Sequence, residues 1–343
     1  MYASGLLTLG RYTEELEARA AAILGVRHAV AVSSCTSGLI LLLRALDLRG
    51  EVILPSFTWA STGHAALWNN LRPVFADCEE HTYTVKAAEV EALIGPETAA
   101  VIAVNTFGLY PDMDALAALC RARGLRFVSD SAQGSGARYQ GRIGGGLADA
   151  EVFSLSPTKV VTAVEGGLVT TNDAGLAGIV RRMRDYGKSA NGRDVEYLGL
   201  SARISEFHAV IGLMGFERLD ELLQRRAAIL RVTEVGWTAS TGCVFRNSRK
   251  GARHPEIILL LSWNPTSSRG KRSPSASRRW ALPPNRIFPT AASPKAFAAE
   301  GAPRRPLPVT EWASARGLAL PIFTHMDDAT VDRVCAAVRQ SLS

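Results

Sequence analysis

The chain's 343 residues, 47% hydrophobic and 21% charged, make one large or two ordinary domains with a packed core and exclude a disordered or fibrous protein. No apolar run nears the ~20 residues of a membrane helix (the densest is Ile257 to Leu261), and neither a secretory leader nor a membrane partner is expected. The net charge of +7 is local: residues 244–308 hold 13 Lys/Arg against 2 Asp/Glu, the rest of the chain holds 26 against 30, and no nucleic-acid partner is expected.

Arg11 to Leu24 has the period of an amphipathic helix and ends at Gly25. From there short apolar runs alternate with helical stretches. The runs predict strands at Ala29 to Ser33, Glu51 to Leu54, Pro73 to Asp77, Ala100 to Asn105, Arg126 to Asp130, Glu151 to Leu155 and Leu168 to Thr171. Helices are predicted at Thr36 to Leu46, Met113 to Arg123 and Ala174 to Tyr186. Such alternation calls for an α/β fold, a mostly parallel sheet flanked by helices. Ser205 to Leu230, rich in helix formers, reads as one long connector to a smaller C-terminal domain. The expected division is a helical segment 1–28, a large domain 29–215 and a small α/β domain 216–343. Within the last, residues 244–308 carry 10 of the 16 prolines and little period of either kind. Order returns at Leu307 to Glu311, before a final helix from Asp328 to Leu342. The cysteines Cys35, Cys78, Cys120, Cys243 and Cys335 form no C-x-x-C pair, which argues against a disulfide framework or zinc site and for a reduced, cytoplasmic protein.

Several residues could carry chemistry. Lys159 lies just beyond a strand, in a turn marked by Pro157; burial there lowers an amine's pKa and makes it a nucleophile toward an aldehyde. By itself it reads more readily as an ordinary surface lysine. Ser33-Ser34-Cys35-Thr36-Ser37-Gly38 sits between a strand and a helix, a place for a plain N-cap or for a bound dianion. Asp130 ends a strand at the edge where open α/β sheets bind ligands, so it is either a cap or a partner for a protonated ring nitrogen. Trp59 is a core aromatic or a platform for a flat ring.

Taken in order, six motifs resemble one family. They are Gly5-Leu6-Leu7-Thr8, Ser34-Cys35-Thr36-Ser37, Pro55-Ser56-Phe57-Thr58-Trp59, Asp130-Ser131-Ala132-Gln133, Ser154-Leu155-Ser156-Pro157-Thr158-Lys159 and Arg203-Ile204-Ser205-Glu206. Together they are similar to the DegT/DnrJ/EryC1/StrS aminotransferases, from about Gly5 to Glu221 with an echo from Leu307. The resemblance implies the fold-type-I, aspartate aminotransferase-like architecture of enzymes dependent on pyridoxal 5'-phosphate (PLP). It implies Lys159 as the lysine that binds the cofactor aldehyde, Asp130 as partner of the ring nitrogen and Gln133 as neighbour of the ring hydroxyl. Trp59 would stack on the ring, with Thr36, Ser37 and Ser154 around the phosphate. It further implies a homodimer, glutamate or glutamine as amine donor and a nucleotide-linked keto sugar as acceptor, a dTDP-4-keto-6-deoxyhexose being expected. Lys159 argues against the histidine-bearing branch that dehydrates instead.

Two departures stand out. Ser201 occupies a position where relatives carry asparagine, which reaches the phosphate of the neighbouring subunit. Residues 244–308 replace the family's small domain with a burst of Arg, Ser and Pro, the signature of a GC-rich gene read out of frame; a basic insertion is the alternative. The first motif lies so near Met1 that a short upstream segment is expected. The rival functional readings are an impaired pseudoenzyme of the same fold and a protein that uses the basic segment to bind an acidic partner.

Overall fold

The computed structural model describes residues 4–235, 243–245, 260–263, 297 and 304–342, so most of the basic stretch at 244–308 lies outside the described residues. Helix α1 (Arg11–Leu24) ends as expected on Gly25, whose φ of +65° suits glycine as a left-handed C-cap. The chain then runs through β1 (His28–Val32), α2 (Cys35–Ala45), β2 (Glu51–Pro55), α3 (Ala60–Trp68), β3 (Arg72–Ala76), α4 (Ala87–Glu91), β4 (Thr98–Val104), α5 (Met113–Arg123) and β5 (Arg126–Asp130). A small hairpin, β6 (Arg138–Tyr139) and β7 (Arg142–Ile143), precedes β8 (Ala150–Ser154), β9 (Gly167–Thr171) and α6 (Ala174–Met183).

Seven of these strands form one sheet in the order β1-β9-β8-β5-β4-β2-β3. Strands β8, β5, β4, β2 and β3 are parallel, while β9 is antiparallel to both β8 and β1. Two reversals restore direction, so β1 also points the way of β8. The C-terminal ends of β1, β2, β4, β5 and β8 therefore share one edge, the edge at which such sheets hold ligands.

Alternation along each strand sorts the faces. Val128, Val152 and Val169 pack with Leu39, Leu42 and Val180 on the side of α2 and α6. Val101, Ala103 and Phe127 pack with Met113, Leu116 and Cys120 of α5. Ala31, Phe153 and Leu168 pack with Leu16, Ala20 and Phe216.

The helix expected over Ser205 to Leu230 is two, α7 (Glu206–Glu217) and α8 (Leu219–Val235). No Pro or Gly marks the break, where Arg218 leaves the helical region at φ −102° and ψ +13°. Tertiary packing sets it. Helix α7 lies along α1, while α8 puts Leu223 against Gly136 and Arg226 under the Lys159 turn. Beyond α8 are β10 (Cys243–Phe245), β11 (Leu260–Trp263), α9 (Pro308–Arg316), β12 (Gly317–Ala319) and α10 (Asp328–Leu342). The three strands pair antiparallel in the order β10-β11-β12. No helix among the described residues is long and apolar enough to cross a membrane.

Two carboxylates join distant parts of the chain. Asp77, beyond β3, caps α9 from outside, accepting from Val309 N (3.0 Å), Thr310 N (2.9 Å) and Thr310 Oγ1 (2.6 Å). Glu206 caps α1 in the same manner, accepting from Gly10 N (2.9 Å), Tyr12 N (2.8 Å), Thr13 N (3.0 Å) and Thr13 Oγ1 (2.6 Å). The Glu206 N–H in turn bonds Leu7 O at 2.9 Å, so the first and last of the six motifs are physical partners.

Burial pushes the Glu206 carboxyl up, but hydrogen bonds from Thr13, Tyr12 and Gly10 outweigh it and leave its pKa below the ordinary glutamate value. A lowered folded-state pKa adds stability above the unfolded value, and that share is lost as pH falls through the folded one. Glu206→Gln is therefore expected to lower stability by about 1–3 kcal/mol near neutrality. Urea midpoints across a pH series check this, since the gap to the wild-type chain is expected to narrow as the solution is acidified.

Candidate active site

The shared sheet edge gathers most of the residues singled out from the sequence. At the end of β1, Ser34 N-caps α2 with a reciprocal box: Ser37 N donates to Ser34 Oγ at 3.0 Å and Ser34 N to Ser37 Oγ at 3.0 Å. The Ser37 hydroxyl is used up locally, since it also donates to Ser34 O at 2.8 Å. Ser34 and Ser37 form the cap of α2. The N–H groups of Cys35 and Thr36, at the first two helical positions, have no intrahelical acceptor and face the positive end of the helix dipole. Thr36 is half-buried beside them.

Helix α2 can approach this closely because of one glycine. A Cβ on Gly38 would stand 2.9 Å from Val152 Cγ1 and 3.2 Å from both Val169 Cγ2 and Val32 Cγ2.

Asp130, the last residue of β5, is buried on the α2 side of the sheet, in step with Val128. Its Oδ2 accepts from Thr62 Oγ1 at 2.7 Å and its Oδ1 from Ala132 N at 3.1 Å, with Cys35 Sγ at 3.9 Å. Burial raises its pKa above the ordinary aspartate value; Thr62, the Ala132 N–H, the Lys159 charge and Cys35 pull the other way. Burial also pushes the Cys35 thiol far up, the Asp130 charge adds to this, and Lys159 opposes it. The Lys159 charge therefore reaches both Asp130 and Cys35.

Ser154 ends β8 on the same edge, buried, with its Oγ 3.2 Å from Ser156 Oγ. The turn that follows carries Lys159, half-buried, its N–H bonded to Ser156 O at 3.1 Å. Gln133 is buried; its Oε1 accepts from Phe107 N at 2.8 Å, which leaves its amide NH2 to donate elsewhere. Trp59 is no core residue: it is 57% exposed at the N-terminus of α3. Ser201 is exposed and accepts from Arg203 Nη2 at 3.4 Å, while the neighbouring Ala202 O receives Ser33 N at 2.8 Å.

A positive helix end, a buried acid, an exposed indole and an amine lie along one sheet edge, in a chain that matches known proteins over nearly its whole length. The family model of the DegT/DnrJ/EryC1/StrS aminotransferases matches residues 1–339. The chain belongs to this family. GDP-perosamine synthase of Caulobacter vibrioides is 32% identical over 98% of this chain and 91% of its own. The crystal structure of DesI with its TDP-sugar product superposes with a TM-score of 0.91 at 32% identity, covering 99% of this chain and 87% of that one. DesV of S. venezuelae gives a TM-score of 0.91 at 30% identity, covering 99% and 91%. The fold is that of the PLP-dependent aminotransferases, and the chain is an enzyme of the sugar aminotransferase group.

PLP is the cofactor of this family, and the residues present fit it. The α2 N-terminus offers backbone donors and a positive field for a phosphate, and Asp130 retains lone pairs for a ring N–H. Gln133 keeps a donor that a ring oxygen could take, Trp59 has an accessible face, and Lys159 carries an amine that could meet the aldehyde.

Two residues of this site escape motif reading. Thr62 gives the shortest bond to Asp130; its only signal is the spacing from Thr58, i to i+4, which puts both hydroxyls on one side. Arg226, 5% exposed, donates through Nη2 to the carbonyls of Thr158 (3.3 Å) and Lys159 (3.2 Å) and through Nε to Thr324 Oγ1 (3.3 Å). It fixes the main chain of the lysine turn from α8. Its signal is a lone cation within the apolar spacing of Leu219, Leu222, Leu223, Ile229 and Leu230.

Gly38→Ala separates two opposing effects. Alanine favours a helix by about 1 kcal/mol over glycine, while overpacking against rigid valines costs about 1–3 kcal/mol. Val32, Val152 and Val169 are all buried, so the clash is expected to win. A lower urea midpoint together with weaker PLP retention on dialysis is the expected outcome.

Proposed function

We propose that this enzyme transfers the amino group of L-glutamate, or of glutamine, to a nucleotide-linked keto sugar, a dTDP-4-keto-6-deoxyhexose, in the making of a deoxyamino sugar. The observation that carries the reading is the joint placement of Lys159 and Asp130 at the sheet edge, near enough for the lysine charge to act on the carboxyl. PLP, when bound, would supply an electron sink for the transamination. The Lys159 amine would bind its aldehyde and, once freed, hold and move the proton as general acid-base. Asp130 would pair with the ring nitrogen, the N–H groups of Cys35 and Thr36 would hold the phosphate with Ser154 beside them, and Trp59 and Gln133 would orient the ring. The TDP-sugar product held by DesI supports the thymidine nucleotide; the GDP-perosamine synthase relative makes a GDP-linked sugar the competing acceptor.

A homodimer completes the reading. On α7, Phe207, Ile211 and Met214 stand exposed at i, i+4 and i+7, continuous through the Glu206–Leu7 contact with exposed Leu6 and Leu7. A second copy of this chain is the proposed cover, and it would bring the exposed Ser201 toward the partner's phosphate site. The proposed compartment is the cytoplasm, where the buried thiols Cys35, Cys78 and Cys120 stay reduced.

Two measurements check these statements. With glutamate as donor, a panel of dTDP- and GDP-linked keto sugars is expected to give 2-oxoglutarate with the dTDP-4-keto-6-deoxy acceptor and none with Lys159→Ala; turnover confined to GDP sugars would overturn the nucleotide assignment. Light scattering is expected to show a dimer for the wild-type chain and a monomer for the double variant Phe207→Glu, Met214→Lys. A monomeric wild-type chain would contradict the shared site.

A further inference from the structure

Thr58 and Thr62 are both fully buried, with 1% and 0% exposure, although nothing in their helix or turn requires a hydroxyl there. Their oxygens lie 2.8 Å apart, and Thr62 Oγ1 lies 2.7 Å from Asp130 Oδ2. A threonine hydroxyl has one proton. If Asp130 is ionised it only accepts, so Thr62 must donate to it and Thr58 must donate to Thr62. If Asp130 held a proton, that order would no longer be imposed. We propose that Thr62, oriented by Thr58, is a positioning residue that keeps the Asp130 carboxylate ionised and aimed for the cofactor ring.

The proposal rests on the PLP reading of the site and adds to it the group that maintains the acid. The groups that act most on the Asp130 carboxyl come from four elements: Thr62 from α3, Cys35 from α2, the Ala132 N–H from its own loop and Lys159 from the turn after β8. Of these, the Thr62 bond is the shortest and is made to a charge, the strong class of hydrogen bond. The Cys35 thiol, 3.9 Å away, is a weak donor. Lys159 is the residue committed to the cofactor aldehyde, and an amine so committed is not a constant source of charge. That leaves Thr62 and one backbone N–H as the permanent counterweight to burial. Helix α3 is held where this bond needs it: Phe297 stacks on His64 at 5.3 Å between ring centroids, and a Cβ on Gly63 would stand 2.6 Å from Phe297 Cζ.

The test reads Asp130 directly. In the cofactor-free chain, infrared pH titration, with Asp130→Asn to assign the carboxyl band, gives the midpoint at which this side chain protonates. Thr62→Val is expected to raise that midpoint by about one pH unit or more, and Thr62→Ser to return it to the wild-type value. Thr58→Val is expected to shift it in the same direction by less. In the PLP-loaded chain, Thr62→Val is expected to weaken cofactor retention roughly tenfold and to displace the pH profile of the visible absorbance, with Thr62→Ser again restoring both. A folded Thr62→Val, or Thr62→Ala if valine does not fold, with a wild-type infrared midpoint overturns the proposal. A wild-type chain that takes up no PLP would overturn the reading of the site instead, and the infrared midpoints would still decide the role of Thr62.

Discussion

A carboxyl group with almost no contact with water, that of Asp130, is the constraint around which this molecule is arranged. Burial works against the charge on Asp130, and the surroundings answer with donors and an opposing cation drawn from four separate segments: α3, α2, the loop after β5 and the turn after β8. None of these neighbours is near Asp130 in sequence except Ala132. They meet because β1, β2, β5 and β8 end at one edge, and because period-two alternation puts Asp130 on the face where α2 packs. A residue lost from β5 would turn that carboxylate to the opposite face, toward α5.

The same logic explains how the lysine is held. Its turn would be an ordinary surface loop if it depended on local bonds alone. Arg226 reaches across from α8 to two successive carbonyls and ties the same guanidinium to Thr324 near the C-terminal end of the chain. Asp77 meanwhile caps α9, and Glu206 caps α1. Each clasp uses one side chain with several acceptor or donor sites to satisfy a helix end or a turn from elsewhere in the chain, replacing bonds that local sequence leaves unmade. Motifs that look like separate islands in the sequence, Gly5 to Thr8 and Arg203 to Glu206, are two halves of one such clasp, and the likeness that returns at Leu307 coincides with the segment Asp77 receives.

Much of this was legible in advance. Strand positions followed from apolar runs to within two residues, because central strands buried on both faces leave little ambiguity. Asp130 and Lys159 could be singled out because one ends a strand and the other follows one, whereas Ser154 and Gln133 came only through the family resemblance; all four lie at or just beyond the shared sheet edge. The cap at Ser34 was equally visible, but whether Ser37 was a cap partner or a phosphate ligand depended on a hydroxyl orientation that sequence does not encode. The break at Arg218 was hidden, since no residue there disfavours helix and only packing against α1 and the lysine turn divides α7 from α8. Thr62 and Arg226 were missed for a related reason: each acts through a residue remote in sequence, and a threonine in a helix or an arginine on an apolar stripe has no local signature of function. Trp59 shows the reverse case, a large aromatic with a core-like sequence context that the fold leaves open on the ligand edge.

The account stands on one amine bound covalently to one aldehyde. Incubation of the purified full chain with PLP, reduction with borohydride and peptide mapping by mass spectrometry tests it most directly. The result predicted is a single phosphopyridoxyl adduct on the peptide bearing Lys159; an unmodified Lys159 peptide, or an adduct placed on another lysine, would contradict it.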